Sequence, residues 1–159
     1  MWRLLPRIVM FDLDRTLWRD YTVEYHRGRF DPHEVARAHV PAAHREMLGG
    51  LQAAGHELHV CSRSSDPERC RQVLDAAYAN IQFTTVNIFP TTAETKAVHV
   101  SRALRGDPWN TPFAFYDDEG VILMNMQRHF PNVRAFLCHD GVCDAEELTA
   151  ASNSSRAPP

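Results

Sequence analysis

Two aspartates separated by one residue follow an apolar run near the start of the chain. Asp12 and Asp14 come directly after Ile8–Phe11, in the stretch FDLDRTLW. A carboxylate can act as a nucleophile, as a general acid or base, or as a metal ligand. Aspartate is also a common turn former, so the pair could simply close a strand. The choice between a site and a turn depends on what the rest of the chain brings to the same place.

Strand-length apolar runs alternate with helical patterns along most of the chain. We predict strands at 7–11, 58–61, 83–89, 113–116 and 133–138, and helices near 47–54, 65–77, 91–104, 121–129 and 144–150. Two of these helices open with capping boxes, which makes Ser65 and Thr91 the expected N-caps. The alternation predicts a three-layer α/β domain over residues 1–150 with a parallel five-stranded sheet. A disordered tail is expected at 151–159.

Polar residues follow four of the predicted strands, at the end where open α/β sheets bind ligands. Besides the first acid pair, the candidates are Ser62 and Arg63 after the second strand, Lys96 after the third, and Asp117 and Asp118 after the fourth. Lys96 is the only lysine beside 16 arginines, and lysine is a compact donor suited to phosphate. A surface position paired with a nearby acid would also explain this lysine.

Four aspartates meeting in one cleft would repel each other strongly. A divalent cation would relieve this repulsion, and Mg²⁺ is favoured because the donors are oxygens rather than clustered histidines or thiolates. Cys138 and Cys143 lack a second ligand pair at zinc spacing. Carboxylates, Mg²⁺, a lysine and a hydroxyl are together the groups that phosphoryl transfer uses.

Composition argues against several other classes of protein. The 159 residues are 44% hydrophobic and 23% charged, as in one globular domain. A net charge of −3 does not indicate the basic surface that nucleic-acid binding requires. No apolar run approaches the length of a membrane span. The first residues lack a signal-peptide pattern, and the four cysteines are typical of reduced thiols. We therefore expect a cytoplasmic protein, monomeric or weakly dimeric, with no nucleic-acid or membrane partner.

The stretch Asp12-Leu-Asp-Arg-Thr16 resembles the first motif, DxDx(T/V), of the haloacid dehalogenase (HAD) superfamily. Ser62, Lys96 and the pair Asp117-Asp118 match its second, third and fourth motifs in the right order. The resemblance runs from residue 7 to about residue 140. With Trp18 directly after the first motif, the chain is most similar to the small magnesium-dependent (MDP-type) phosphatases. Segment 19–39 departs most from that branch.

The resemblance implies a Mg²⁺-dependent phosphomonoesterase that works through an aspartyl-phosphate. Asp12 would be the nucleophile, and Asp14 would protonate the leaving oxygen and then activate water. The implied metal ligands are Asp12, the backbone carbonyl of Asp14 and a fourth-motif acid, with Asp118 as the direct ligand and Asp117 in support. The resemblance also implies four phosphate-binding groups. Two are the backbone N–H groups of Leu13 and Asp14, and two are the side chains of Ser62 and Lys96. Arg63 is a further candidate that a surface role explains equally well.

Larger HAD relatives carry a cap domain over the site, and this chain has no room for one. Only a hairpin flap at 21–30 fits after the first motif, and one helix and one strand fit between the second and third. The resemblance therefore implies an open HAD-like site. Phosphotyrosine in proteins and small sugar phosphates are both compatible substrates.

Three alternatives to a phosphatase were weighed. A receiver domain also has an acid pair, a hydroxyl and a lysine, but its acceptor aspartate follows the third strand, where this chain has Pro90 and Lys96. A catalytically silent binding module would be expected to lose a motif residue, and none is lost. A phosphomutase or phosphotransferase on the same scaffold stays open. The acid at Asp14 favours phosphate esters over halide release, which needs no proton donor.

Overall fold

The computed structural model describes residues 4–21, 23, 28–90 and 96–149. Within these ranges the chain forms a six-stranded sheet and five α-helices. In chain order the elements are β1 (Ile8–Phe11), α1 (Pro32–His39), α2 (Ala42–Ala53), β2 (Glu57–Ser62), α3 (Pro67–Ala77), β3 (Phe83–Ile88), α4 (Ala97–Ala103), β4 (Phe113–Asp117), α5 (Gly120–His129), β5 (Val133–Leu137) and β6 (Glu146–Leu148).

The strands lie in the order β3-β2-β1-β4-β5-β6, and β1 to β5 are parallel. This confirms the predicted α/β fold. β1 pairs with β2 on one side and with β4 on the other. The chain therefore changes direction across the sheet at β1, and such a switch point leaves a crevice beyond the carboxyl end of the strand.

Alternating side chains of β1 pack into the apolar cores on opposite sides of the sheet. Val9 and Phe11 belong to a core with Leu48 of α2, whereas Met10 belongs to a second core with Leu123 of α5. All five side chains are fully buried. Because β1 is fixed on both faces, the residues that follow it leave the sheet at a defined position.

The sheet has six strands rather than the five predicted, because the segment expected as a short helix at 144–150 forms an edge strand. β6 runs antiparallel to β5, with Leu137 opposite Glu146. The Arg134 guanidinium forms two hydrogen bonds of 2.7 Å to the Glu147 carboxylate across the pair. The backbone of β5 would otherwise be an open edge, and this pairing satisfies it.

Helix α3 begins one residue later than its capping box predicts. Asp66, not Ser65, is the N-cap, and its side chain accepts a hydrogen bond from the backbone N–H of Arg69 at 3.1 Å. Pro67 is the first helical residue. Its ring disfavours helical geometry at the residue before it, and this places the cap at Asp66.

Some predictions fall on residues that the structure does not describe. The Thr91 capping box and the tail at 151–159 lie outside the described residues, as does half of the flap at 21–30. Helix α1 was not predicted; its N-cap Asp31 precedes a proline, as at α3. In the described residues, no helix is both long and apolar enough to cross a membrane.

Candidate active site

A cavity of about 360 Å³ opens beyond the carboxyl ends of the central strands. Residues that follow β1, β2, β3 and β4 meet there, including Lys96, the N-cap of α4. The lining residues are Asp12, Asp14, Tyr21, Arg63, Ser64, Ser65, Pro90, Lys96, Asp118 and Glu119. The structure thus brings together residues that are up to 107 positions apart (119 − 12) in one pocket.

Lys96 lies between two aspartates at the floor of this cavity. Its Nζ donates hydrogen bonds of 2.7 Å to Asp12 Oδ1 and of 2.7 Å to Asp117 Oδ2. All three side chains are buried. Burial lowers the pKa of Lys96, but the charges of Asp117 and Asp12 outweigh burial and hold the pKa above its ordinary value. Lys96 is therefore charged in the site, and the structure does not support a surface position for it.

Asp117 and Asp118 hold different positions although they are adjacent. Asp117 Oδ2 accepts from Lys96, and Asp117 Oδ1 accepts from the backbone N–H of Glu119 at 2.9 Å. Asp118 lines the cavity and lies 4.0 Å from the Arg15 guanidinium. Burial and the negative charge of Asp12 raise the pKa of both Asp117 and Asp118. One lysine therefore does not fully balance the carboxylates.

Asp12, Asp117 and Asp118 each offer a carboxylate oxygen, and these oxygens lie within 4.8 Å of one another. Hard oxygen donors with excess negative charge suit a hard divalent cation such as Mg²⁺. The residues present therefore fit the metal. Asp118 is the fourth-motif acid best suited to direct contact, since both oxygens of Asp117 already accept hydrogen bonds.

Asp14 lies on the turn that follows β1 and faces the cavity. The turn folds back on the carbonyl of Leu13, which accepts hydrogen bonds from the backbone N–H groups of Thr16 at 3.0 Å and Leu17 at 2.9 Å. Trp18 is fully buried behind the turn, and its Nε1–H donates to Asp14 Oδ1 at 2.8 Å. The turn thus presents Asp14 next to Asp12.

The predicted phosphate-binding residues lie at different depths. Ser62 ends β2 and is buried, and the cavity lining at this strand end consists of its successors Arg63, Ser64 and Ser65. Arg63 lines the cavity and donates to Glu119 Oε2 at 3.2 Å. The Leu13 side chain is buried. Phosphate binding by Leu13, Ser62, Arg63 and Lys96 stays a prediction, as does the metal and acid–base assignment of the aspartates.

Sequence reasoning did not single out Tyr21 and Arg15 as site residues. Tyr21 lines the cavity and is 39% exposed. Arg15 has a positive φ of 56° and donates to the carbonyl of His139 at 2.7 Å, which holds its guanidinium near Asp118. No periodicity marks either residue. Their membership of the loop after β1, which must border any site at the switch point, is the one signal that could have found them.

The family model described as Acid Phosphatase matches residues 4–151. The chain therefore belongs to this acid phosphatase family of HAD-like phosphatases, and the resemblance to the HAD superfamily is confirmed. No curated protein matches the chain.

Solved structures share the fold at low sequence identity. One is the N-terminal part of protein BF1531 from Bacteroides fragilis, which contains a phosphatase domain complexed with Mg; it has a TM-score of 0.57 and 15% identity over 82% of this chain and 35% of that one. Two others are described as a Pnkp1/Rnl/Hen1 complex and a Pnkp1/Rnl/Hen1 RNA repair complex. Their TM-scores are 0.51 and 0.53, with 20% and 16% identity, over 84% of this chain and 46% and 42% of those chains. This chain thus spans less than half of each.

Proposed function

We propose that this phosphatase hydrolyses phosphate monoesters with Asp12 as nucleophile and Mg²⁺ as cofactor. The observation that carries the proposal is the position of Lys96, which is buried and bonded to both Asp12 and Asp117 beside Asp118. Lys96 here holds the Asp12 carboxylate in one orientation. A carboxylate at the base of an open cavity can act as a nucleophile towards phosphorus.

The chain's own residues account for the steps of the proposed reaction. An oxygen of Asp12 attacks phosphorus opposite the ester oxygen, the P–O bond to the leaving group breaks, and the aspartyl-phosphate forms. Asp14 gives a proton to the departing oxygen and then takes one from the water that hydrolyses the aspartyl-phosphate. Lys96, Ser62 and the backbone N–H groups after Asp12 hold the phosphate oxygens. Bound Mg²⁺, held by Asp12, Asp118 and the Asp14 carbonyl, would offset the negative charge of carboxylates and phosphate.

We propose phosphotyrosine-type esters and small sugar phosphates as the substrate classes. The proposal is supported by a cavity that is lined by Tyr21, Arg63 and Glu119 and is open to solvent. Tyr21 offers an aromatic face, and the ion pair offers polar contacts for hydroxyl groups. A comparison of kcat/KM between phosphotyrosine peptides and sugar phosphates would choose between the two classes.

The decisive experiment is Mg²⁺-dependent hydrolysis of p-nitrophenyl phosphate by the wild type, Asp12→Asn and Asp75→Asn. Asp75 lies on the exposed face of α3, so Asp75→Asn is a matched control for loss of one carboxylate. We expect Asp12→Asn to lose activity by at least about 10³-fold and Asp75→Asn to retain it. Acid-quenched turnover of an ester radiolabelled at phosphorus should also leave hydroxylamine-sensitive label on the wild type and Asp75→Asn but not on Asp12→Asn. Equal activity of Asp12→Asn and wild type would exclude Asp12 as nucleophile, and inactivity of the wild type on all phosphate esters would favour a silent module.

A further inference from the structure

Trp18 has a hydrogen bond that packing in the core does not require. Its side chain is fully buried, and its indole Nε1–H donates to Asp14 Oδ1 at 2.8 Å. A phenylalanine or leucine would fill apolar space without needing a polar partner. An indole N–H donates only, and its bond to a carboxylate is stronger and more directional than a neutral one. The contact therefore acts on Asp14 as well as stabilising Trp18.

The backbone next to Trp18 is held by two side chains of the core. The carbonyl of Leu17, immediately before Trp18, accepts hydrogen bonds from the Tyr78 hydroxyl and from His44 Nδ1 at 3.2 Å. Because a carbonyl only accepts, Nδ1 of His44 carries the proton. These donors belong to α2 and to the end of α3. The support behind Asp14 is thus continuous with the core of the domain.

Asp14 needs such support because of the two proton transfers proposed for it. Its carboxylate faces the cavity on a short turn, and free rotation about its side-chain bonds would move the acid away from the leaving oxygen. Displacements of about 1 Å at a catalytic group can cost about 10²-fold in rate. Trp18 has no exposed surface and does not line the cavity, so it can act on the substrate only through a neighbouring residue, and Asp14 is the cavity residue that its indole N–H contacts.

We propose that Trp18 is a positioning residue whose indole N–H holds the Asp14 carboxylate in the orientation for proton transfer. This inference rests on the proposed function of Asp14. It assigns to the buried tryptophan a role in the leaving-group step of the reaction. In the first step, which kcat/KM reports, the role matters for esters whose leaving oxygen must be protonated, and it matters little for esters that leave as stable anions.

The test compares two esters and three proteins. Trp18→Phe keeps an aromatic ring in the core and removes the N–H. Trp109→Phe is the matched control, because it makes the same change at an exposed tryptophan that does not line the cavity. For β-glycerophosphate, a poor leaving group, we expect Trp18→Phe to lower kcat/KM by about 10²-fold. For p-nitrophenyl phosphate we expect a loss of less than about 3-fold, because p-nitrophenolate leaves without a proton.

A second variant covers the case in which Trp18→Phe fails to fold. Site-specific replacement of Trp18 by benzothienylalanine keeps the bicyclic shape and replaces the N–H by sulfur. The same dependence on the leaving group is expected. Equal losses of kcat/KM on both esters, or the same dependence in Trp109→Phe, would overturn the inference and leave the proposed function standing. Inactivity of the wild type on both esters would instead overturn the proposed function and the inference with it.

Discussion

Lys96 Nζ lies 2.7 Å from Asp12 Oδ1, at the floor of a cavity formed by the carboxyl ends of parallel strands. The same ammonium lies 2.7 Å from Asp117 Oδ2. One buried cation therefore joins the loop after β1 to the end of β4. This contact couples the stability of the domain to the geometry of the candidate site, because the groups that would do chemistry are also buried charges.

Replacing Lys96 by methionine should destabilise the fold. The change leaves the carboxylates of Asp12 and Asp117 buried without their shared cation, and breaking a buried ion pair costs about 3 to 5 kcal/mol. Urea denaturation near neutral pH measures the free energy of unfolding. Adding Asp117→Asn to Lys96→Met should recover part of the loss. A cost below about 1 kcal/mol, typical of an exposed pair, would show that Lys96 is not buried as described.

Replacing Asp118 by asparagine should stabilise the metal-free protein and remove its response to Mg²⁺. The neutral amide relieves repulsion with Asp12 and Asp117, so Tm in the presence of a chelator should rise. In the wild type, Mg²⁺ at about 100-fold above its Kd should add about 2.7 kcal/mol of stability. Differential scanning calorimetry with and without Mg²⁺ measures both effects. Asp75→Asn, on the exposed face of α3, is the control that should keep the full response to Mg²⁺. An undiminished response to Mg²⁺ in Asp118→Asn would show that Asp118 is not a metal ligand.

His99 should contribute to loss of stability in acid. Burial, reinforced by the positive charge of Lys96, lowers the pKa of His99 from 6.5 to about 4. Its Nε2–H donates to the carbonyl of Ser62 at 3.1 Å, and its ring stacks on Phe89. Above pH 6.5 the folded and unfolded states are both neutral at this position. As pH falls from about 6.5 to about 4, the unfolded chain takes up a proton that the folded protein does not, so stability falls.

The measurement is the free energy of unfolding across this pH range for wild type and His99→Gln. The variant should lose stability less steeply as the pH falls. His33→Gln, at an exposed position of α1, should keep the slope of the wild type. Identical slopes for wild type and His99→Gln would mean that His99 takes no part in the acid response.

Replacing Gly141 by alanine should destabilise the support of the first loop. An added Cβ would lie 2.3 Å from Cε1 of the His44 ring, and Gly141 has a φ of 157°. His44 would have to move away from the Leu17 carbonyl, and overpacking of this kind costs about 1 to 3 kcal/mol. Gly49→Ala is a control that should have the opposite effect, because nothing lies within 4 Å of its added Cβ. Alanine should stabilise helix α2 by about 0.5 to 1 kcal/mol relative to glycine. Chemical denaturation that ranked the two variants equally would argue against this packing.

Features that depend on local pattern and strand direction could be predicted from the sequence. Five parallel strands could be predicted because each is an apolar run of strand length, and the first four are followed by helices. Asp12, Asp14, Lys96 and Asp118 were placed in one cleft because the carboxyl ends of parallel strands meet at the same edge. The sixth strand was missed, since Glu146–Leu148 has no apolar pattern of its own and pairs only because β5 presents an open edge.

By itself the sequence determined which residues follow which strand, and hence that acids, a lysine and hydroxyl groups gather at one edge of an α/β sheet. The reason is physical: apolar periodicity and turn residues act over a few neighbouring positions. Only the tertiary structure decided that Lys96 joins Asp12 to Asp117, and that the indole of Trp18 holds Asp14. Those contacts depend on the direction of each side chain within a packed domain, where groups distant in sequence must satisfy each other's charges and hydrogen bonds.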